Sequence, residues 1–339
     1  MKSFLMLCLT ALLLISSTAC DITNAQTPDV LPKVVIVSQK GSLEDQTYSN
    51  LAYDGIMRAA RDYKMEVVFT EPETDDSYIE AVSEAADGAD LVIAVGNAEA
   101  DEIIKIAGEK PDTLFALVDS QEDAPGNVMC ISFKEEEGAF LVGVIAALTS
   151  ETQSIGFVGG VRDEASAAVE YGFRAGAISA NPDIQVSVIY TGCFNDPQEG
   201  NKAAGILVEE GVDVIFHSAG QCGDGVTEVA DKAGIWSITT DGGKSSQESD
   251  TVLCSVFKRI DNGIYLSIQS FMEGSFLSGA YDFGLDFEAV GYLDSDGNID
   301  DEIKARADEF AAAILEGNII VPKTRQEFNN FKIPETGTL

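Results

Sequence analysis

The residues best placed to do chemistry cluster between Gly211 and Gly243, GVDVIFHSAGQCGDGVTEVADKAGIWSITTDGG. Val214–His217 is a short apolar run, Val226, Val229, Ala230 and Ala233 recur at helical spacing, and Trp236–Thr239 is a second short run. Strand, helix and strand in that order make a right-handed parallel unit. Both following loops then leave the carboxyl ends of adjacent strands, where open α/β sheets bind ligands. Gly220, Gly223 and Gly225 would let backbone approach a ligand closely, and Asp241 brings a carboxylate to the same rim. This combination suits hydrogen bonding to a small polar molecule. It does not suit catalysis. His217 is the chain's one histidine, with no nucleophile motif and no metal-ligand company, and it reads as a structural or supporting residue. GGVRDE (159–164) lacks dinucleotide-binding spacing and a phosphate-loop lysine. Asp294, Asp296, Asn298 and Asp300 open like a calcium loop but lack its bidentate Glu, and read as an acidic turn before the last helix.

Those residues need a scaffold, and the chain supplies an alternation of strands and helices. Strand-like runs at 33–38, 65–70, 91–95, 113–118 and 128–133 alternate with helical spacing at 50–63, 78–86, 99–107 and 138–148. The same grammar restarts at Ser154, with strands at 155–159 and 186–190 and helices at 165–180 and 197–209 leading into the opening unit. The expected class is therefore α/β, with two lobes that are each a parallel sheet flanked by helices. The segments after Asp250 are too few for a third domain. The expected first lobe is 33–150 plus about 252–285, and the second is 151–251 plus about 286–339, joined by several crossings at a hinge. A hinged cleft of this kind is a common ligand site.

Met1–Cys20 carries one lysine, an apolar run from Phe4 to Ile15, and then small residues. That run is short for a bilayer and reads as a secretory leader. Ser17-Thr18-Ala19-Cys20 resembles a bacterial lipobox, which would make Cys20 a lipid anchor and 21–32 a tether; ordinary cleavage near Ala19 or Ala25 is the alternative. The formal net charge of −36 excludes nucleic acid as a partner and disfavours anionic lipid surfaces. Beyond the leader region stand Cys130, Cys193, Cys222 and Cys254, with no zinc spacing and no Cys-x-x-Cys. A disulfide between Cys193 and Cys222 is open.

Several stretches together resemble one family. GSLEDQTYSNLAYDGI (41–56) is similar to the signature G-x-x-x-D-x-S-F-N-x-x-x-x-x-G of the basic membrane protein family, and LFALVDS (114–120), GAFLVGVIAALTS (138–150), IGFVGGV (155–161), YGFRAGAISANPDIQVSVIYTGCFNDP (171–197), DVIFHSAGQCGDGV (213–226) and VLCSVFKRIDNGIY (252–265) follow in family order. The resemblance spans nearly the whole chain beyond the leader. It implies a type I periplasmic-binding-protein fold and a lipoprotein on the extracytoplasmic face of the cell membrane. It further implies capture of nucleosides, purines in the best-matched branch, for an ABC-transporter permease, with no enzymatic activity, cofactor or metal.

The resemblance also implies site residues. Tyr48 falls where the family stacks a Phe on the base, and Gln39 where purine-specific members face the base with an Asp. Asp45 and Asn97 join the set, Asp119 matches a polar contact, Asp241 the acid that holds ribose hydroxyls, and Lys258 a lysine near the sugar. Gly220 lies on the glycine loop, and the second stacking aromatic is Phe194 or Phe216. Gln39 and Tyr48 depart from the family pattern, which leaves base preference open. A sugar or other small polar ligand on the same fold is the alternative.

Overall fold

Short runs of Val, Ile, Leu and Phe make the strands, and most are apolar on both faces, as parallel sheets covered on both sides require. The computed structural model describes residues 31–38, 46–72, 74, 77–96, 99–122, 124, 126–240 and 249–333, with backbone alone at 46–50. The chain opens with β1 (Lys33–Ser38), α1 (Gln46–Asp62), β2 (Glu66–Thr70), α2 (Tyr78–Ala86), β3 (Leu91–Val95), α3 (Ala100–Glu109), β4 (Leu114–Val118) and β5 (Val128–Phe133). It continues with α4 (Glu135–Thr149), β6 (Ser154–Gly159), α5 (Glu164–Ala180), β7 (Gln185–Tyr190), α6 (Pro197–Glu209), β8 (Val214–Ser218), α7 (Cys222–Ala233), β9 (Trp236–Thr240) and β10 (Val252–Lys258). It ends with α8 (Ile260–Met272), β11 (Gly279–Phe283), β12 (Val290–Asp294), α9 (Asp301–Leu315) and α10 (Arg325–Asn330).

Among the described residues these strands form two six-stranded sheets. The first has the order β11-β5-β4-β3-β1-β2 and is parallel throughout. The second has the order β12-β10-β9-β8-β6-β7 and is parallel except for antiparallel β12 at its edge. The α/β architecture is as expected, but the points of exchange are not. Strand 252–258, expected in the first lobe, pairs with β9 and β12 in the second sheet. Helix α4, also expected in the first lobe, packs on the second sheet, with its apolar residues inside one core shared with β6, β8, β10 and α9. The reason lies in α4 itself: every residue from Gly138 to Ala147 is buried, so the helix needs cover all round, and α5 and α9 supply it beside the second sheet.

The chain therefore passes between the sheets at 133–135, 258–260 and 283–290. Backbone hydrogen bonds lace these passages, Lys134 N–H donating to Phe283 O at 2.9 Å and Arg259 N–H to Ala289 O at 2.7 Å. At the second passage the Arg259 guanidinium forks onto buried Asp261 at 2.8 and 2.7 Å. The α4–α5 contact is close and uses glycine on both sides. A Cβ at Gly176 would lie 2.7 Å from the Phe140 carbonyl carbon, and one at Gly143 would lie 2.9 Å from that of Phe173. The acidic turn after β12 behaves as a helix start: Asp300 accepts from Glu302 N–H at 2.8 Å, and Asp294 takes Ile299 N–H and the Lys304 ammonium. No described helix is long and apolar enough to cross a membrane.

Candidate functional site

All the strands except β12 point their carboxyl ends toward the edges where Asp119 and Lys258 sit, and these two residues join the sheets. Asp119 follows β4 of the first sheet with φ +74°, a left-handed conformation that costs a residue with a Cβ about 1–2 kcal/mol. Ile131 O holds it there, accepting from Asp119 N–H at 2.7 Å and Ser120 N–H at 3.0 Å. Lys258 ends β10 of the second sheet. Its ammonium reaches the Asp119 carboxylate at 3.1 and 3.2 Å and Glu135 Oε1, on the first turn of α4, at 3.0 Å. It also stands 5.9 Å from the Phe133 ring centroid. Lys258 is mostly buried, whereas 24% of the Asp119 side chain and 37% of the Glu135 side chain face solvent. Two acceptor carboxylates around one ammonium leave a net negative charge with oxygens open to a donor.

The second sheet's rim is built from the loops after β6, β7 and β8. Gly160 N–H donates to Ser218 O at 3.2 Å and Thr191 N–H to Gly159 O at 2.9 Å, binding the three loops together. The Phe194 ring lies directly on Gly160, so near that an added Cβ would sit 2.9 Å from Cζ and closer still to the ring edge. Phe194 nevertheless keeps 42% of its surface exposed. Gln221 N–H donates to Phe194 O at 2.7 Å, and Gly220, at φ +55°, turns the chain there.

The structure separates the sequence candidates. Asp119, Lys258, Phe194 and Gly220 lie at the carboxyl edges of the sheets. Phe216 does not qualify as a stacking surface: it is fully buried, its ring 5.2 Å from Phe173 and 5.6 Å from Phe157 in the second sheet's core. Gly223 and Gly225 also change role. Both lie in α7, where the close approach is to protein, Gly223 against the His217 ring and Gly225 against Pro197 and Asn201 of α6. His217 is buried behind that helix, its Nε2 3.2 Å from Thr227 Oγ1 and its Nδ1 without a partner. Desolvation pushes its pKa down to about 4, so it is neutral at pH 7. Gln39, Asp45, Asn97 and Asp241 lie outside the described residues, as do Cys20 and the Tyr48 side chain. Glu135 and Gly160 were missed. Glu135 is hidden in a run of three Glu that reads as ordinary helix-start acidity, and Gly160 in a glycine pair with no motif spacing. No group of three His, Cys, Asp or Glu able to hold a metal occurs among the described residues.

Two mainly parallel sheets exchanging the chain three times, with polar groups meeting at their carboxyl edges, define the two-sheet α/β fold of small-molecule binding proteins. The family model for ABC transporter substrate-binding proteins, PnrA-like, matches residues 32–325. Basic membrane protein A1 of Borrelia garinii subsp. bavariensis is 30% identical over 89% of this chain and 91% of its own. The CD4+ T-cell-stimulating antigen of Listeria monocytogenes is 31% identical over 86% of this chain and 88% of its own. Among solved structures, an ABC transporter solute-binding protein from Conexibacter woesei shares the fold with TM-score 0.73 at 23% identity, covering 89% of this chain and all of the other. The chain belongs to the Bmp family of PnrA-like ABC transporter substrate-binding proteins. Its partners are accordingly a ligand and a transporter permease, and its place of work is extracytoplasmic.

Proposed function

We propose that the protein captures a nucleoside between the carboxyl edges of its two sheets and delivers it to an ABC importer, held to the membrane through lipidated Cys20. The observation that carries the reading is the junction of Lys258 with Asp119 and Glu135 across the two sheets. Ribose hydroxyls are donors, and the partly exposed carboxylates of Asp119 and Glu135, positioned by Lys258, are acceptors. A hydrogen bond to a charged group contributes about 1.5–3 kcal/mol. The exposed Phe194 ring offers a face for the base, at about 1–3 kcal/mol per stacked base. Asp241, Gln39, Asp45, Asn97 and Tyr48 complete the set by family resemblance. The excess of carboxylate disfavours a phosphate, so the ligand is the nucleoside and not the nucleotide.

Titration calorimetry with purine and pyrimidine nucleosides, their monophosphates and free ribose tests this. Heat from at least one nucleoside and none from its monophosphate is the expected outcome; silence from every nucleoside refutes it. Ribose binding as tightly as a nucleoside would transfer the reading to a sugar. Loss of membrane association in Cys20→Ala tests the anchor.

A further inference from the structure

The four cysteines among the described residues are of two kinds. Cys130 and Cys254 are fully buried within the strands of the two sheets. Cys193, partly exposed in the loop after β7, and Cys222, at the start of α7, touch: their sulfurs are 3.4 Å apart and no disulfide joins them. The contact is held from several directions. Thr191 Oγ1 donates to Cys193 O at 2.8 Å, the Cys222 thiol donates to the same carbonyl at 3.3 Å, and Gln221 N–H donates to Phe194 O at 2.7 Å. Both loops are thus fixed beside the sulfur pair, and a bond of about 2.05 Å requires the sulfurs to approach by roughly 1.4 Å.

We infer that Cys193 and Cys222 form a redox site that converts to an intramolecular disulfide on meeting a disulfide oxidant outside the cytoplasm, where such bonds persist. Burial pushes the Cys222 thiol above its ordinary pKa, so the partly exposed Cys193 reacts first. The Cys193 thiolate attacks one sulfur of the oxidant, forming a mixed disulfide and releasing one oxidant thiolate. The Cys222 thiolate then attacks Cys193 Sγ, the mixed disulfide breaks, and the second oxidant thiolate leaves. The pair gives up two electrons and two protons, and the oxidant becomes two thiols. The bond ties the loop carrying Phe194 to the amino end of α7, fixing one rim of the second sheet.

The test incubates the full chain with oxidised glutathione, blocks remaining thiols, and maps tryptic peptides by mass. Cleavage after Arg174, Lys202 and Lys232 places Cys193 in 175–202 and Cys222 in 203–232. Joining of these two peptides within one chain, reversed by dithiothreitol and absent from Cys193→Ser, is expected, together with a rise in the urea midpoint of the oxidised chain. Cys193→Ser leaves a surface loop, so it also checks that the shift needs the bond. A glutathione adduct that stays on Cys193, a link between chains only, or unlinked peptides after oxidation would overturn the inference.

Discussion

Gly176→Ala sets two well-measured effects against each other at one position of α5. In a helix interior, Ala is better than Gly by about 0.8–1 kcal/mol. At position 176, however, the new methyl would sit 2.7 Å from the Phe140 carbonyl carbon and 3.0 Å from its Cα, and nearer still to the carbonyl oxygen. Those are backbone atoms of a buried helix and cannot swing aside. Relief needs α4 and α5 to part by roughly 1 Å, in an interior packed as densely as an organic crystal. Overpacking typically costs about 1–3 kcal/mol and occasionally more, and here it falls on the contact that also buries Phe140, Phe173 and Phe310. With the helix-propensity gain subtracted from the upper part of that range, the expected net loss is about 1–2 kcal/mol, which lowers the urea midpoint by about 0.3–0.7 M if m is near 3 kcal/mol/M. The control is Gly205→Ala in α6, where nothing lies within 4 Å of the added methyl; its midpoint rises by about 0.3 M. Trp236 is the only tryptophan and starts a strand of the second sheet, so its fluorescence follows the affected half. A Gly176→Ala protein that unfolds at or above the parent midpoint with unchanged m refutes the close-contact account.

Two buried groups give opposite pH dependences. His217, with a pKa near 4 against 6.5 when unfolded, contributes stability that is complete above pH 6.5 and is lost as pH falls toward 4, up to about 3 kcal/mol. Burial pushes Glu136 up to about 7 against 4.5, so its contribution is complete below pH 4.5 and is lost as pH rises through 7. Urea midpoints across pH 4–7 for His217→Gln and Glu136→Gln should therefore diverge from the parent with opposite slopes, and parallel profiles would contradict both assignments. Lys258→Met removes the cation between Asp119 and Glu135; calorimetry should show nucleoside affinity falling at least about tenfold, and an unchanged Kd would remove Lys258 from the site. Phe216→Ala should cost about 3–5 kcal/mol of stability. Phe194→Ala should leave stability within about 1 kcal/mol while weakening nucleoside binding by about 1–3 kcal/mol; the reverse pattern would exchange their roles.

The alternation of strands and helices was legible because short apolar runs and helical spacing differ in period. Where the chain changes sheets was not. Helix α4 is apolar all round and carries no stripe to say which sheet it covers, and the apolar run of β10 carries no residue that names its sheet. Asp119 and Lys258 could be found because a charged residue ending an apolar strand stands out. Phe216 and Phe194 could not be ranked by type alone. The distinction lies in the setting of each: VIFHS is a strand covered on both faces, whereas TGCFND has the composition of a loop. Gly223 and Gly225 misled because glycine permits close approach to a ligand or to a neighbouring helix, and spacing does not tell which.

The three passages between the sheets bear on how the chain can be made. As residues emerge from the amino end, whether at a ribosome or a translocation pore, β1 to β5 are available early. The edge strand β11 and helix α8, which lies against α1, arrive only after the whole second sheet except β12. Until then β5 presents an open strand edge of the kind that invites pairing with another chain. Neither half can be cut out as a continuous fragment and kept complete, and a nascent chain halted near β10 would expose an unfinished first half beside a nearly finished second one.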